Sequence, residues 1–482
     1  MKRLWIIILM AGSFFMGAAG TYAVFQWTEG AEPKQNDAEK SGPAEESNKN
    51  EIPGLDKVER AFSLIMTNYV EKVEEEKLIE GAIQGMLSVL DDPYSVYMDE
   101  ETASQFNESL DSSFEGIGAE VTMIDGKVII IAPFKNSPAE KAGLKPNDQI
   151  LSIDGESLEG MNLYDAVKKI RGEKGTTVTL EIMRSGFTRP QKITIKRDKI
   201  PHITVHGDIK KKNGKQIGYL QITSFAEGTA KEFKEALRKM ERKGIDGLIV
   251  DGRGDPGGLL TSVEEIVQEF VTKDKPYVQI QKRDGERVRF YTELQKGKKY
   301  PIAVLIDKGS ASASEILAGA LKEAEGYTLV GETTFGKGTV QQAVPMGDGT
   351  DLKLTVFKWL TPDGNWIHKK GLKPDIAVKQ PPIFRTGFIQ ADKTLERDMF
   401  GDQVKNAQII LDALGFEPGR EDGYFSAGTE AAVRAFQNQQ NLEPTGKIDK
   451  KTAAALENAA RKEMEKEKND LQLQAALRYL TK

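Results

Sequence analysis

A serine in a glycine- and alanine-rich segment is the first residue whose setting suits chemistry. Ser312 lies in Gly309-Ser-Ala-Ser-Ala-Ser-Glu315, between the apolar run 302–306 and a helical pattern at about 313–325. A serine at a strand-to-helix turn exposes its hydroxyl beside the free N–H groups and the positive dipole end of the helix. Ser312 and Glu315 also form a helix-capping box, and capping serines outnumber catalytic ones. Taken alone, the segment favours a cap over a nucleophile.

A lysine in a second glycine-rich segment changes this balance. Lys337 is the only charged residue from Thr333 to Met346. Burial lowers the pKa of a lysine, so its amine can be neutral near pH 7 and accept a proton from a serine. Gln341 follows closely enough to orient that amine by a hydrogen bond. For the lysine alone, a solvated loop side chain is the alternative.

Two adjacent glycines offer the third chemical feature. Gly257 and Gly258 follow the apolar run 248–250 within Asp251-Gly-Arg-Gly-Asp-Pro-Gly-Gly-Leu259. Backbone N–H groups of such glycines are unobstructed, as an oxyanion hole requires. Asp-Pro-Gly-Gly is also a strong turn signal, so a plain turn is the alternative.

Several other chemistries are excluded by composition. The chain has no cysteine, which removes cysteine nucleophiles, disulfides and cysteine-ligated zinc. Its three histidines are His202, His206 and His368, and the β-branched residues between the first two favour a strand over a metal-binding pair. We therefore expect no metal and no cofactor. The net charge is −6 without a basic stripe, so no nucleic acid is expected as a partner.

A phosphate-binding loop is also rejected. Gly331-x4-Gly336-Lys337 matches the beginning of that motif, but Gly338 stands where a magnesium-binding hydroxyl is needed. The sequence therefore does not predict an NTPase.

The surrounding pattern predicts the elements that must position these residues. Residues 216–376 alternate continuous apolar runs with helical stretches, which indicates an α/β core whose strands are buried on both faces. Residues 114–200 show short strands and turns, and residues 55–90 show helical spacing. In the charged segment 461–482, three leucines share one helical face. A solvated helix is the favoured interpretation of that segment, and a partner helix, as in a homodimer, is the alternative.

The amino-terminal segment carries no charge from Leu4 to Trp27. This run is long enough for a membrane-crossing helix of about 20 residues. Lys2 and Arg3 before it predict a cytoplasmic amino terminus and a single-pass cell-membrane protein whose catalytic part is extracellular. A cleaved signal peptide, which would give a secreted protein, is the alternative.

Together these segments resemble the carboxyl-terminal processing (tail-specific) serine protease family. The matches are Gly-Ser-Ala-Ser-Ala-Ser-Glu at 309–315, Phe-Gly-Lys-Gly-x-x-Gln at 335–341, Asp-Pro-Gly-Gly at 255–258, Leu-Asp-Asp-Pro-Tyr-Ser at 90–95 and Gly-Leu-Lys-Pro-Asp-Ile at 371–376. The resemblance implies a Ser–Lys dyad with Ser312 as nucleophile, Lys337 as general base and Gln341 as orienting partner. It further implies an oxyanion hole made by the N–H groups of Gly258 and Ala313. Asp255 departs from the asparagine usual in the family, and Gly252 from a larger apolar residue.

Two flanking regions have resemblances of their own. Residues 113–200 resemble a PDZ domain, which implies that Gly116, Ile117, Gly118 and Ala119 grip the carboxylate of a substrate tail that adds as a strand. The same resemblance implies that Arg171 couples the docked tail to the active site. Residues 400–460 resemble a peptidoglycan-binding-type domain through Asp-Gly-Tyr-Phe at 422–425 and Thr-Gly-x-Ile-Asp at 445–449. A purely structural helical domain is the alternative there.

The sequence thus predicts a multidomain α/β protein, and the family resemblance implies that its protease core is of the ClpP/crotonase-like type. Its expected parts are a transmembrane anchor or signal peptide (1–27), a disordered tether (28–53), a helical amino-terminal region (54–112), a PDZ domain (113–200), a Ser–Lys protease core (201–382), a peptidoglycan-binding-like domain (399–460) and a charged helix (461–482).

The predicted function is that of an exported serine endopeptidase that cleaves near the carboxyl terminus of proteins with apolar tails. The expected partners are such substrates, a membrane through the amino-terminal helix, and peptidoglycan or a second copy of the chain as alternatives. A catalytically silent scaffold is the main rival, and the Ser312, Lys337 and Gln341 set argues against it. A cell-wall hydrolase would need paired carboxylates or a metal, and neither is evident.

Overall fold

The computed structural model describes residues 54–124, 126–184, 187–387, 389 and 393–482. The described residues divide into two units, the first ending at Leu78 and the second beginning at Ile79. The predicted anchor and tether lie outside the described residues. Within the described ranges no helix is both long and apolar enough to cross a bilayer. The longest of these helices, Lys450–Met464, has 15 residues, fewer than the roughly 20 that a membrane crossing needs. This finding contradicts the predicted localisation, which was that of a single-pass cell-membrane protein.

Short helices open the described chain. They are α1 (Leu55–Asn68), α2 (Glu75–Ser88) and α3 (Glu100–Leu110), with the strand β1 (Val96–Met98) before α3. Asp99 caps α3, because its carboxylate accepts the N–H of Thr102.

A β-rich region follows. Its strands are β2 (Ser113–Gly116), β3 (Ala119–Ile124), β4 (Lys127–Pro133), β5 (Gln149–Ile153), β6 (Glu156–Ser157), β7 (Thr177–Met183), β8 (Gln191–Lys196) and β9 (Asp198–Pro201), with helices α4 (Pro138–Lys141) and α5 (Leu163–Ile170). The main sheet has the order β3-β4-β5-β7-β8, and β6 pairs with β5, while β2 pairs with β9. Strand β3 is therefore an edge strand that can accept another strand.

The core region is built on a second sheet. Its elements are β10 (Val205–Lys212), β11 (Lys215–Ile222), α6 (Thr229–Arg242), β12 (Gly247–Asp251), α7 (Leu260–Val267), β13 (Val278–Gln281), β14 (Arg287–Phe290), β15 (Ile302–Ile306), α8 (Ala313–Glu325), β16 (Thr328–Gly331), β17 (Thr339–Pro345), β18 (Asp351–Leu360) and β19 (Ile376–Ala377). The sheet order is β10-β11-β12-β15-β16-β19, with parallel pairing from β11 to β19. Strands β1, β13, β14, β17 and β18 form a separate antiparallel sheet.

Both faces of the core sheet are covered, which explains the continuous apolar runs of its strands. Helices α6, α7 and α8 contribute to the large hydrophobic cluster on one face. The other face is covered by α12 (Leu471–Leu480), whose Leu473, Leu477 and Leu480 are buried together with Ile249 and Leu305 of the sheet. The interpretation of this segment as a solvated helix is therefore wrong: its apolar face packs against the chain's own sheet.

A small helical domain lies between the core and α12 along the chain. It contains α9 (Asp402–Ala413), α10 (Ala427–Gln439) and α11 (Lys450–Met464) around its own hydrophobic cluster. At its base the Gln380 side-chain amide donates to Asp470 Oδ1 at 2.6 Å, and the Leu471 N–H donates to Gln380 Oε1 at 3.1 Å. The domain is therefore an insertion whose entry and exit segments are joined by hydrogen bonds.

Candidate active site

Ser312 stands where the buried strand β15 turns into α8. Its backbone has φ 53° and ψ −116°, outside the regions that non-glycine residues usually occupy, at a cost of about 1–3 kcal/mol. Ser310 and Ser314 are buried, and the hydroxyls of both donate to the Gly252 carbonyl, at 2.7 and 3.2 Å. Ser312 is only partly buried. Of the three serines in the motif, Ser312 is thus the one that presents its side chain toward solvent.

A buried carboxylate connects the serine and lysine segments. Glu315 Oε2 accepts the N–H of Ser312 at 3.0 Å and the N–H of Lys337 at 2.8 Å. Its other oxygen, Oε1, accepts the N–H of Gly336 at 2.7 Å and the hydroxyl of Thr334 at 2.5 Å. Burial raises the pKa of Glu315, and these hydrogen bonds oppose that rise. One carboxylate oxygen therefore brings the backbones of Ser312 and Lys337 side by side.

From the sequence, Glu315 was predicted only to be a capping residue. The capping-box half that it supplies is present, since its carboxylate binds the Ser312 N–H. The signal for its larger role was its position in the first turn of a helix that is buried all round, where a carboxylate must find several donors.

Lys337 is partly buried beside an aromatic ring. Its pKa is lowered by burial and then by the positive charge of Lys353, while Asp92 and Glu315 act in the opposite direction. Its Nζ lies 4.9 Å from the ring centroid of Tyr94. A lysine with a lowered pKa is suited to accept a proton.

Further aromatic groups hold the backbone of the lysine segment. Trp359 Nε1 donates to the Lys337 carbonyl at 2.8 Å, and the Gly338 N–H donates to His368 Nδ1 at 3.3 Å. His368 stacks on Trp366 with ring centroids 5.1 Å apart and meets the edge of Tyr94 at 6.2 Å. Tyr94 lies in the Leu-Asp-Asp-Pro-Tyr-Ser motif at 90–95, but neither Tyr94 nor His368 was predicted to have a role in the site.

Gln341 does not contact the lysine through its amide nitrogen. That nitrogen donates to the hydroxyls of Thr339 and Thr355, each at 3.0 Å. No hydrogen bond joins Gln341 and Lys337 among the described side chains. The orienting role of Gln341 stays a prediction.

The glycine pair lies against the serine. A Cβ on Gly257 would come within 2.8 Å of Ser312 Cβ and 3.0 Å of the Ala313 nitrogen. A Cβ on Gly258 would come within 2.1 Å of the Phe225 carbonyl oxygen, with which its segment forms a parallel bridge. Only glycines allow this approach. The predicted oxyanion donors, the N–H groups of Gly258 and Ala313, therefore lie on two segments in direct contact.

The predicted tail-binding residues also gather at one place. Ile117 is buried, and Gly118 has φ +74° directly before the edge strand β3. A Cβ on Gly116 would lie 3.6 Å from Arg171 Cγ. Arg171 forms an ion pair with Glu108 of α3, and its guanidinium carbon lies 5.0 Å from the Phe114 ring centroid.

A large groove opens beside Arg171. Its volume is about 970 Å³, and its apolar lining comes from Phe114, Phe134, Ile200, Pro201 and Ile203. An apolar peptide segment fits such a lining. As for metals, no group of three or more His, Asp or Glu side chains suited to hold an ion occurs within the described ranges.

The chain matches four protein-family models and is similar to several known proteins. The model for peptidase family S41 matches residues 216–378, and the model for PDZ domains matches residues 108–183. The model for the activating protease CtpB N-terminal domain matches residues 14–102, and the model for the peptidoglycan binding domain matches residues 400–456.

The carboxy-terminal processing protease CtpB of Bacillus subtilis (strain 168) is 55% identical and is aligned over 100% of this chain and 99% of its own length. The carboxy-terminal processing protease CtpA of the same organism is 43% identical over 89% of this chain and 90% of its own length. Among solved structures, a photosystem II D1 C-terminal processing protease is 28% identical, with a TM-score of 0.42, over 68% of this chain and 87% of that chain.

Proposed function

Because the chain belongs to the carboxy-terminal processing serine proteases of peptidase family S41, we propose that Ser312 and Lys337 form its catalytic dyad. The observation that carries this proposal is the shared Glu315 oxygen, which accepts the backbone N–H of both residues. Two separate glycine-rich segments are thereby held next to each other, with the one serine of the motif that is not buried on the first and the lysine of lowered pKa on the second.

In the proposed reaction, neutral Lys337 accepts the proton of the Ser312 hydroxyl as the oxygen attacks the scissile carbonyl. The negative charge that forms on the carbonyl oxygen is bound by the N–H groups of Gly258 and Ala313. Lys337 then returns the proton to the leaving amine, and water hydrolyses the acyl-enzyme with Lys337 again as base. Gln341 orients the lysine amine once the substrate is bound.

We further propose that the PDZ domain selects substrates by an apolar carboxyl-terminal tail. Strand β3 is an edge strand of its sheet, and residues 116–119, which lead into it and include its first residue, are proposed to meet a terminal carboxylate. The groove lined by Phe114 and Phe134 would take apolar side chains. Arg171, which pairs with Glu108 of α3, would signal occupancy of this site to the core.

The small helical domain is proposed to bind peptidoglycan, supported by its family match over residues 400–456. The homodimer stays a prediction, because a single chain shows no contact between copies.

The test compares the wild type with Ser312→Ala and Lys337→Ala on an unfolded protein that ends in apolar residues. Both variants should lose more than about 99% of the cleavage rate, as expected when a nucleophile or its base is removed, and both should still bind the tail. Lys308→Ala removes an exposed lysine four positions before the nucleophile and serves as the matched control, with wild-type activity expected. Normal cleavage by either dyad variant would refute the assignment.

A further inference from the structure

Asp255 is a fully buried carboxyl group next to the glycine pair. Its side chain has 0% exposure, and its Oδ1 accepts the N–H of Gly257 at 2.8 Å. Its backbone carbonyl accepts the N–H of Ala311, the residue before the nucleophile, at 3.0 Å. Within the described part of the chain, its second oxygen, Oδ2, has no hydrogen-bond partner. Asp255 therefore links the oxyanion segment to the nucleophile segment with half of its carboxyl group unpaired.

The position of this group matters because of what Gly257 touches. The Cα of Gly257 faces Ser312 so closely that a Cβ there would lie 2.8 Å from Ser312 Cβ. The hydrogen bond from the Gly257 N–H to Asp255 fixes the turn that presents the next N–H, that of Gly258. A charge on Asp255 would therefore lie on the same turn as the Gly258 N–H, one of the two proposed oxyanion donors.

Among the described residues, no positively charged side chain forms an ion pair with Asp255, so none stabilises its ionised form. On its own loop, Arg253 is engaged by Asp251 and by Asp470. On the packed nucleophile segment, the charged groups are the exposed Lys308 and two carboxylates, Asp307 and Glu315. The carboxylate oxygens accept backbone N–H groups: Asp307 from Gly254, Gly309 and Ser310, and Glu315 from Ser312, Gly336 and Lys337. Burial raises the pKa of Asp255 to about 8, and its hydrogen bond to Gly257 only partly opposes this. The carboxyl group is thus neutral at neutral pH, since a buried unpaired charge is costly.

We propose that Asp255 is a positioning residue that works in its protonated form, holding Gly257 through Oδ1 while keeping negative charge away from the oxyanion. This inference rests on the proposed function, because it requires an oxyanion bound by Gly258 and Ala313. When Asp255 loses its proton, the carboxylate repels the developing oxyanion in a site of low dielectric, and cleavage stops.

The expected pH–rate profile has an acid limb and an alkaline limb, and a different residue titrates in each. Activity rises with pH as Lys337 loses its proton and falls again as Asp255 loses its own. In Asp255→Asn, the amide oxygen still accepts the Gly257 N–H, and no proton can be lost. This variant should match the wild type at pH 7 and keep its activity at alkaline pH, whereas the wild type should fall about fivefold in kcat/KM from pH 8 to pH 9, as one ionisation near 8 requires.

Asp348→Asn is the matched control. Asp348 also accepts a backbone N–H two residues ahead, from Thr350 at 3.0 Å, but it is exposed, and the Thr350 hydrogen bonds lower its pKa. Its replacement should leave the alkaline limb of the wild type in place. If Asp255→Asn keeps the alkaline fall, or is folded but inactive at every pH, the proposal is refuted.

A stability measurement tests the same ionisation without activity. A carboxyl group whose pKa is raised by folding contributes stability at low pH, and this contribution is lost as pH rises through the folded pKa. The Tm of Asp255→Asn should therefore gain on that of the wild type between about pH 4 and pH 8, and a constant difference would contradict the proposal. Failure of the proposed function would look different: Ser312→Ala would then cleave normally, whatever the result with Asp255→Asn.

Discussion

A positive charge and an aromatic ring act on the pKa of Lys337 in opposite directions. Burial is the main cause of its lowered pKa, and Lys353 adds to the effect. Lys353 is itself half-buried on β18, with its Nζ 4.5 Å from the Phe106 ring centroid. The Tyr94 ring, 4.9 Å from Lys337 Nζ, favours the charged form of the lysine. Substitutions on the two sides should therefore shift the acid limb of the pH–rate profile in opposite directions.

Lys353→Met keeps the apolar stem of the side chain and removes its charge. Because that charge lowers the pKa of Lys337, the variant should have a higher Lys337 pKa and an acid limb moved to higher pH. At pH 7 its kcat/KM should fall by about two- to fivefold, the size expected for a charge interaction below about 1 kcal/mol. Lys308→Met, on an exposed site, is the control; an unmoved limb in Lys353→Met would contradict the prediction.

Tyr94→Leu keeps apolar bulk over Lys337 and removes the ring. A cation–π contact of about 0.5–1 kcal/mol stabilises the ammonium form, so its loss should lower the pKa of Lys337. The acid limb of kcat/KM should then move to lower pH, opposite to the shift in Lys353→Met. If the acid limbs of Tyr94→Leu and Lys353→Met moved in the same direction, the ring would not act through the charge of the lysine.

At the scale of elements, α12 covers the face of the core sheet opposite to the one covered by α6, α7 and α8. Leu477 is 1% exposed and packs in the cluster that includes Ile249, Leu305 and Val330. Leu477→Ala should lower the free energy of unfolding by about 2–5 kcal/mol, because it leaves a cavity on the sheet. Urea denaturation followed by fluorescence measures the change.

Leu471→Ala is the control for that substitution on the same helix. Leu471 is 44% exposed, so its replacement should change the free energy of unfolding by less than about 0.5 kcal/mol. Equal effects of the two substitutions would mean that α12 does not dock through its buried face.

Sequence patterns predicted the helices and strands of the core better than they predicted which elements pack against each other. The runs 248–250 and 302–306 and the helix at 313–325 are where the pattern placed them. The leucines of 471–480 were recognised as one helical face, but periodicity does not say what a face packs against. Likewise the Ser312 and Lys337 segments could be paired by motif, whereas the carboxylate that joins them and the Tyr94 ring over the lysine depend on contacts between distant residues.

At the scale of the whole chain, the small helical domain interrupts the protease core. Because Gln380 and Asp470 are hydrogen-bonded at its base, a short linker can join the two sides. A variant in which residues 386–466 are replaced by a short Gly-Ser linker should keep cleavage of an unfolded substrate and lose cosedimentation with peptidoglycan. The assays are peptide cleavage and sedimentation of the full-length and linker-joined chains.

The contrasting variant is truncated after residue 469. It loses α12 and exposes the second face of the core sheet, so it should aggregate or unfold at least 10 °C earlier, roughly the effect of losing several buried side chains. A stable and active truncated chain would contradict the view that α12 completes the core.

The insertion also sets an order of events during synthesis. Thr328 of β16 and Tyr479 of α12 share a hydrogen bond across 151 positions of sequence. At roughly 5–20 residues per second, the strands would leave the ribosome about 8–30 s before the helix that covers them. During that interval the serine and lysine segments already exist, but the sheet that holds them has one bare face. The sheet that positions both segments is therefore covered on its second face only after α12 has been synthesised.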